Sequence, residues 1–258
     1  MNEKNSIIKK FNNLLKIKKK RNCPVCNSSI QKKIKSRSDY LKYGQYQIEI
    51  HPKICKCGLI FLNPVHSDKA YNFYYSNLYD EYYGLENKKD VGMKGINLNY
   101  SMISNRIKSY SYIKDYFITI LDYGCGNGGG YKTLSKEFKN SRLYAFEHSL
   151  EGLKNAMRNG YKPVTNDNKA KYKKNFDLII LRHVVEHFKH PIKEIKKLKY
   201  FLKDNGVIYI SVPDMTRPRY NLRDYKNWWE YWFRFVHTSY FTPLTIKEVL
   251  DKSKLDLY

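Results

Sequence analysis

A cluster of glycines follows a short apolar segment between residues 118 and 130, in the sequence ITILDYGCGNGGG. The apolar residues predict a buried strand, and Asp122 stands at the carboxyl end of this strand. Gly124, Gly126 and Gly128 allow a tight turn towards the N-terminus of a helix, because glycine adopts backbone conformations that side chains disfavour. We therefore expect this loop to hold a small ligand.

Two cofactors fit such a loop. Gly124, Gly126 and Gly129 satisfy the GxGxxG spacing of dinucleotide-binding proteins. Glu147 ends the next apolar run, at the distance where a ribose-binding acid is expected. A dinucleotide would bring a pyrophosphate, which the carboxylate of Asp122 would repel, whereas the α-ammonium group of S-adenosylmethionine would be attracted to it. Asp122 therefore favours the methyl donor over the dinucleotide.

From residue 118 onward the sequence alternates short apolar runs with amphipathic stretches. This alternation predicts a parallel β-sheet with helices on both faces, in which ligands bind at the carboxyl ends of the strands. The polar residues placed at those ends are Asp122, Glu147, Asp167 and His183.

The motif DYGCGNG resembles the first motif of class I S-adenosylmethionine-dependent methyltransferases. Residues 176–188 (FDLIILRHVVEHF) resemble the fourth strand of that family and the segment after it, residues 206–213 the fifth strand, and residues 237–250 the late helix entry. The resemblance implies a Rossmann-like, doubly wound α/β sheet that binds S-adenosylmethionine. The donor-binding residues that it implies are Asp122, Gly124, Gly126, Gly128 and Glu147, with Asp167 near the adenine.

Four of the five cysteines form two closely spaced pairs. Cys23 and Cys26 lie on one predicted turn, and Cys55 and Cys57 lie on another, with a predicted strand over residues 43–50 between the pairs. Two such turns brought together by a hairpin form a tetrahedral zinc site in a small zinc ribbon, although four free buried cysteines are the alternative. Because four thiolates leave no open coordination position, we expect this zinc to be structural.

The zinc-binding segment, with the Tyr-rich stretch after it, resembles the N-terminal region of a subset of bacterial class I methyltransferases, including sugar methyltransferases. The resemblance implies that the Tyr-rich stretch covers the donor and acceptor sites, whereas helical spacing alone predicts packing. The tyrosines that it makes candidates for lining the site are Tyr74, Tyr75, Tyr79, Tyr82 and Tyr83.

The sequence predicts four segments. Residues 1–21 form a basic amphipathic helix, whose apolar stripe packs on the protein or lies on an anionic membrane. Residues 22–62 form the zinc ribbon, residues 63–117 a Tyr-rich helical connector, and residues 118–258 the methyltransferase domain, with an aromatic insertion at 214–243. The insertion either lines the acceptor pocket or caps its own core, through Trp228, Trp229, Tyr231, Trp232 and Phe233.

Histidine is the expected general base for methyl transfer, because its ordinary pKa lies near neutrality. The two candidates are His237, which follows the aromatic insertion, and His183, which begins the set His183–Glu186–His187. If that set is helical, His183 and His187 share a face. The set resembles a signature of many methyltransferases of this family, in which these residues mostly shape the site. In a related subset of the family, the signature binds a divalent ion. His237 resembles the histidine of an EHxxYF pattern in sugar methyltransferases, with Val236 in place of the glutamate.

Lysine and arginine outnumber aspartate and glutamate by 48 to 24, which gives a net charge of +24. Such a charge can attract nucleic acid or anionic membranes. However, the lysines are spread along almost every segment, which favours a solvated surface suited to acidic small substrates or to no particular partner. No window approaches the roughly 18 apolar residues of a membrane span, and no signal peptide is evident. The cysteine spacing suits metal and not a secreted disulfide framework, so we predict a cytoplasmic protein.

Three functions stay open at this point. The first is methyl transfer to a small molecule, for which the resemblance implies a sugar or glycan precursor. The second is an RNA methyltransferase, which the zinc ribbon and the charge would suit, although Leu181-Arg-His-Val replaces an NPPY-type tetrad and no Pro-Cys nucleophile is present. The third is a non-catalytic binding module, because Tyr258 lies where a sixth strand is expected to begin; the intact glycine motif argues against it.

Overall fold

A computed structural model describes residues 3–34, 37–41, 46–80, 93–111, 113, 118–216 and 233–257. Contacts divide the chain into two compact units. The amino-terminal unit contains residues 1–77, 185–195 and 212–257, and the parallel-sheet unit contains residues 78–184 and 196–211. The four segments predicted from the sequence do not correspond to these two units, and their boundaries stay predictions.

The described helices are α1 (Glu3–Leu15), α2 (Asp68–Asn77), α3 (Met93–Tyr110), α4 (Tyr131–Glu137), α5 (Leu150–Arg158), α6 (Pro191–Lys199) and α7 (Pro243–Lys252). The described strands are β1 (Lys18–Lys19), β2 (Gln31–Lys33), β3 (Arg37–Leu41), β4 (Tyr46–Ile50), β5 (Pro52–Cys55), β6 (Ile60–Leu62), β7 (Val65–His66), β8 (Thr119–Tyr123), β9 (Arg142–Phe146), β10 (Lys162–Pro163), β11 (Phe176–Arg182), β12 (Leu202–Ser211) and β13 (Ser239–Tyr240).

The parallel-sheet unit has a five-stranded sheet in the order β10-β9-β8-β11-β12. All neighbouring strands are parallel. After β8 the chain adds β9 and β10 on one side of it, and then β11 and β12 on its other side. The direction in which strands are added therefore reverses between β8 and β11. Ligands of open α/β sheets bind at the carboxyl ends of the strands, next to such a switch point. The predicted Rossmann-like α/β fold with a parallel central sheet is confirmed.

Helices α3, α4 and α5 contribute to one hydrophobic core with alternate residues of the sheet strands. This core includes Tyr100, Leu134, Ala156, Ile120 and Ile180. The neighbouring residues Leu121, Ile179 and Leu181, which point to the opposite face, are also buried. Burial on both faces explains why β11 is almost continuously apolar.

The amino-terminal unit has a four-stranded sheet in the order β13-β6-β5-β2, whose neighbours are antiparallel. Strands β3 and β4 form a separate antiparallel hairpin, and β1 pairs with β7. In β4 the predicted alternation is present, because Ile48 and Ile50 are buried and Glu49 is exposed. Strand β13 lies far along the chain, yet it forms the edge of the sheet that carries Cys55.

Helix α1 packs its apolar side on its own unit. Phe11 is fully buried, and its ring lies 5.9 Å from the ring of Phe73 and 5.9 Å from the ring of Phe235. The burial of Phe11 is what the packing alternative for this helix predicts. Among the described residues, no helix is long and apolar enough to span a bilayer.

Candidate functional site

The three glycines of the predicted cofactor loop differ in what surrounds them. All three have positive φ angles, +77° at Gly124, +58° at Gly126 and +72° at Gly128. A Cβ atom at Gly124 would lie 2.5 Å from a methyl group of Val184, and one at Gly128 would lie 2.5 Å from the Cα atom of Ala156. Among the residues that the structure describes, a Cβ at Gly126 would meet nothing within 4 Å. Gly124 and Gly128 therefore serve close packing, whereas Gly126 faces open space that a ligand can fill.

Asp122 is almost fully buried at the end of β8, with 1% of its surface exposed. Its Oδ2 atom accepts hydrogen bonds from the hydroxyl groups of Tyr100, at 2.8 Å, and Tyr161, at 2.7 Å. Burial raises the pKa of Asp122 to about 6, although the hydrogen bonds from Tyr161 and Tyr100 act in the opposite direction. Sequence reasoning missed both tyrosines, because neither belongs to a recognisable motif.

Glu147 holds the glycine loop through its carboxylate. Oε2 accepts a hydrogen bond from the backbone N–H of Gly126 at 2.9 Å, and Oε1 accepts one from the N–H of Ser149 at 3.0 Å. The hydroxyl oxygen of Ser149 caps α5 by accepting a hydrogen bond from the N–H of Gly152 at 2.8 Å. The same hydroxyl donates a hydrogen bond to the carboxylate of Asp80. Because a carboxylate oxygen has two lone pairs, Glu147 retains capacity to accept from a ligand.

The other two residues predicted at this edge of the sheet are exposed. Asp167 follows β10. The neighbouring Asn168, and not Asp167, bonds the backbone of this segment: its side-chain oxygen accepts a hydrogen bond from the N–H of Thr165 at 2.9 Å. His183 directly follows β11 with a positive φ angle of +55°. The segment after His183 is a short 3-10 helix (Val185–His187) and not the α-helix that would place His183 and His187 on one face.

A cluster of polar side chains lies within the amino-terminal unit. The rings of His187 and His237 are nearly perpendicular, with centroids 4.9 Å apart. Ligand atoms of Glu186, His187 and His237 all lie within 4.8 Å of one another. The hydroxyl of Tyr75 and Nδ1 of His187 are joined by a hydrogen bond of 2.9 Å, whose donor depends on the histidine tautomer. Such a set can transfer protons, or it can ligate a divalent ion.

Backbone hydrogen bonds hold the two chain segments of this cluster together. Thr238 donates its N–H to the carbonyl of Glu186 at 2.8 Å and its hydroxyl to the carbonyl of Phe188 at 2.8 Å. The guanidinium of Arg21 donates to the carbonyls of Thr238, at 2.8 Å, and Lys189. Arg21 lies two residues before Cys23, so its hydrogen bonds join the start of the cysteine turn to the segments that carry His187 and His237.

The four paired cysteines converge in the amino-terminal unit. Their sulfur atoms all lie within 4.8 Å of one another. The Sγ atoms of Cys23 and Cys57 are 3.7 Å apart, and those of Cys26 and Cys55 are 3.4 Å apart. A tetrahedral zinc ion with Zn–S bonds of about 2.3 Å would place its sulfur ligands about 3.8 Å apart. The donor set and its spacing therefore fit zinc. Cys125 lies in the glycine loop of the other unit.

The predicted lining aromatic residues have different surroundings. Tyr74 is buried, and its ring centre lies 6.3 Å from that of Phe11. Tyr75 instead contacts His187. Phe233 is buried and stacks on Tyr240 with ring centroids 4.5 Å apart. Tyr79 is half-buried. The other candidates lie outside the described residues, namely Tyr82, Tyr83, Trp228, Trp229, Tyr231 and Trp232.

This chain is similar to several known methyltransferases. A protein of Papaver bracteatum named "Probable (S)-tetrahydroprotoberberine N-methyltransferase 2" is 29% identical over 101 residues, which is 36% of this chain and 28% of the relative. The chain thus spans less than a third of that relative's length. A structure of an S-adenosylmethionine-dependent methyltransferase from Archaeoglobus fulgidus has a TM-score of 0.44 at 19% identity, covering 60% of this chain and 68% of its own.

A second structure is that of a plantazolicin methyltransferase in complex with a triazolic desmethylPZN analog and SAH. It has a TM-score of 0.47 at 18% identity and covers 67% of each chain.

Residues 97–258 match a protein family described as "Methyltransferase domain". The match includes the glycine loop, Asp122 and Glu147, and it extends over more than half of the sequence. The class of protein predicted from the motif DYGCGNG and the three segments after it is confirmed by this match. The chain belongs to the methyltransferase domain family.

Proposed function

We propose that this protein transfers a methyl group from S-adenosylmethionine to a small-molecule acceptor. The observation that carries the proposal is the open space in front of Gly126, within the part of the chain that matches the methyltransferase domain. Asp122 and Glu147 bring two carboxylates to this loop. Acidic groups beside a glycine turn suit a cationic donor with ribose hydroxyls better than they suit a pyrophosphate.

The chemistry asks little of the protein itself. The sulfonium of the donor supplies an electrophilic methyl group when it is bound. Glu147 would accept hydrogen bonds from the ribose hydroxyls, and the charge of Asp122 would favour the α-ammonium group. The other tasks of the chain are to orient the acceptor, to exclude water and to remove a proton.

We assign the role of general base to His237. It is buried, with 9% of its surface exposed, and it lies within a cluster that contains a carboxylate, Glu186, and a second imidazole, His187. A neighbouring carboxylate stabilises the imidazolium that forms when the base accepts a proton. His183 is exposed and is the second choice.

For the acceptor we propose a sugar or glycan precursor, because the cysteine module and the segment at His237 resemble those of sugar methyltransferases. The relative from Papaver bracteatum carries the name of an N-methyltransferase, so an amine is a second acceptor class. The net charge of +24 makes RNA a third. A screen with labelled donor should show methyl transfer to a nucleotide-sugar and none to total RNA or amines. Labelled RNA would overturn the sugar assignment.

Binding of the donor tests the proposed function directly. Calorimetry of the full chain should show binding of S-adenosylmethionine and of S-adenosylhomocysteine, and none of NAD. The expected selectivity follows from the carboxylate of Asp122 at the loop, which repels a pyrophosphate. Tight NAD binding, with no response to either sulfur compound, would contradict the proposal.

We further propose one structural zinc ion, held by Cys23, Cys26, Cys55 and Cys57. Elemental analysis of protein purified without added metal should find about one zinc per chain, because four convergent thiolates bind zinc tightly. Cys57→Ser should lower the zinc content and the unfolding temperature. Cys125→Ser is the matched control and should leave the zinc content unchanged. A metal-free native protein would overturn this assignment.

A further inference from the structure

Arg182 is the last residue of β11 and lies at the carboxyl edge of the parallel sheet. In the register of β11 with β8, Ile180 pairs with Asp122, so Arg182 is two residues further towards this edge. Leu178 and Ile180 belong to the core on the α3 face, and the alternation of a strand places Arg182 on that same face. The guanidinium carbon of Arg182 lies 5.3 Å from the ring centre of Tyr100.

The guanidinium of Arg182 has few partners in the part of the chain that the structure describes. Its Nε atom is buried and has no hydrogen-bond partner. Its guanidinium makes a cation–π contact with Tyr100 and attracts the carboxylate of Asp122. The positive charge of Arg182 lowers the pKa of Asp122, whereas burial raises it. A buried donor without a partner is costly, so an acceptor is expected to approach it.

The neighbourhood defines which acceptor fits. A guanidinium presents N–H groups in a planar fork that matches a carboxylate. Asp122 supplies a negative charge on the same face of the sheet. The glycine loop begins just after Asp122, and Gly126 in this loop faces open space among the described residues. A positive and a negative group near one opening complement an amino-acid zwitterion, which carries both a carboxylate and an ammonium group.

We propose that Arg182 binds the α-carboxylate of the methionine part of the methyl donor. This assignment rests on the proposed function, since it requires S-adenosylmethionine to be the ligand of the glycine loop. In this role Arg182 is a specificity residue for the donor, because it distinguishes an intact methionine part from one without the carboxylate. The alternative role for Arg182 is to neutralise Asp122 with no contact to the ligand.

Two ligands separate these roles. S-adenosylmethionine and its decarboxylated form share the adenosine, the sulfonium and the ammonium group, and they differ in the carboxylate alone. Calorimetry on the full chain should show that the carboxylate improves binding by about 10- to 100-fold, the range of a charge-assisted hydrogen bond. Arg182→Gln should lose that factor for S-adenosylmethionine and keep its affinity for the decarboxylated form within about twofold.

The controls make each outcome decisive. Arg142→Gln alters an exposed arginine at the start of β9, at the opposite edge of the sheet, and should leave both affinities unchanged. If Arg182→Gln does not fold, Arg182→Lys keeps the charge without the fork, and a smaller loss confined to the carboxylate-bearing ligand is expected. An equal loss for both ligands, or no preference in the unaltered chain, would overturn the role of Arg182. Failure of the unaltered chain to bind either ligand would overturn the proposed function with it.

Discussion

Gly126→Val is expected to lower the affinity for S-adenosylmethionine by about 100-fold or more, because overpacking a closely fitted site costs about 3 kcal/mol. The glycine faces open space, so the valine side chain is accommodated in the free protein. It then occupies the volume that the donor needs. Calorimetry with the donor and with S-adenosylhomocysteine measures this loss, and Gly126→Ala should show a smaller one.

Backbone strain is the competing explanation for that result, and Asn140→Val controls for it. Gly126 has a φ angle of +58° and Asn140 one of +55°, so both substitutions place a β-branched side chain in the left-handed region. Asn140 is exposed in a turn before β9. Asn140→Val should therefore keep donor binding. Equal losses in the two variants would show that strain, and not occupied space, explains the effect.

His237→Ala is expected to reduce the rate of methyl transfer by about 10² to 10⁴ while donor affinity stays almost unchanged, which is the typical loss for a positioned general base. The physical reason is that the acceptor would have no group to receive its proton during transfer. Single-turnover measurements with labelled donor and the acceptor found by screening give the rate, and calorimetry gives the affinity.

A histidine outside the cluster is the matched control for this variant. His190→Ala removes an exposed imidazole of the same unit and should leave the rate unchanged. The assay is repeated with a chelator, because Glu186, His187 and His237 could also ligate a divalent ion. Loss of activity on chelation, with the zinc at the four cysteines retained, would show that a metal ion and not a free base acts at this cluster. An unaltered rate in His237→Ala would transfer the role to His183 or show that no base is needed.

The sequence by itself determined the parts of this protein that depend on local patterns. Strands buried on both faces must be almost continuously apolar, so β8 and β11 were recognisable, and the glycine turn after Asp122 identified the methyltransferase domain. Paired cysteines on tight turns likewise predicted that the four thiols would converge, because their spacing constrains the chain within a few residues.

The tertiary structure decided which side chains meet across distant segments. Tyr100 and Tyr161 reach Asp122 from positions 22 and 39 residues away, and Arg21 reaches Thr238 across 217 residues. It also distinguished Gly126, which faces open space, from Gly124 and Gly128, which face packed atoms. Local preferences carry no information about these contacts, because they depend on how helices and strands pack and not on the spacing of residues along the chain.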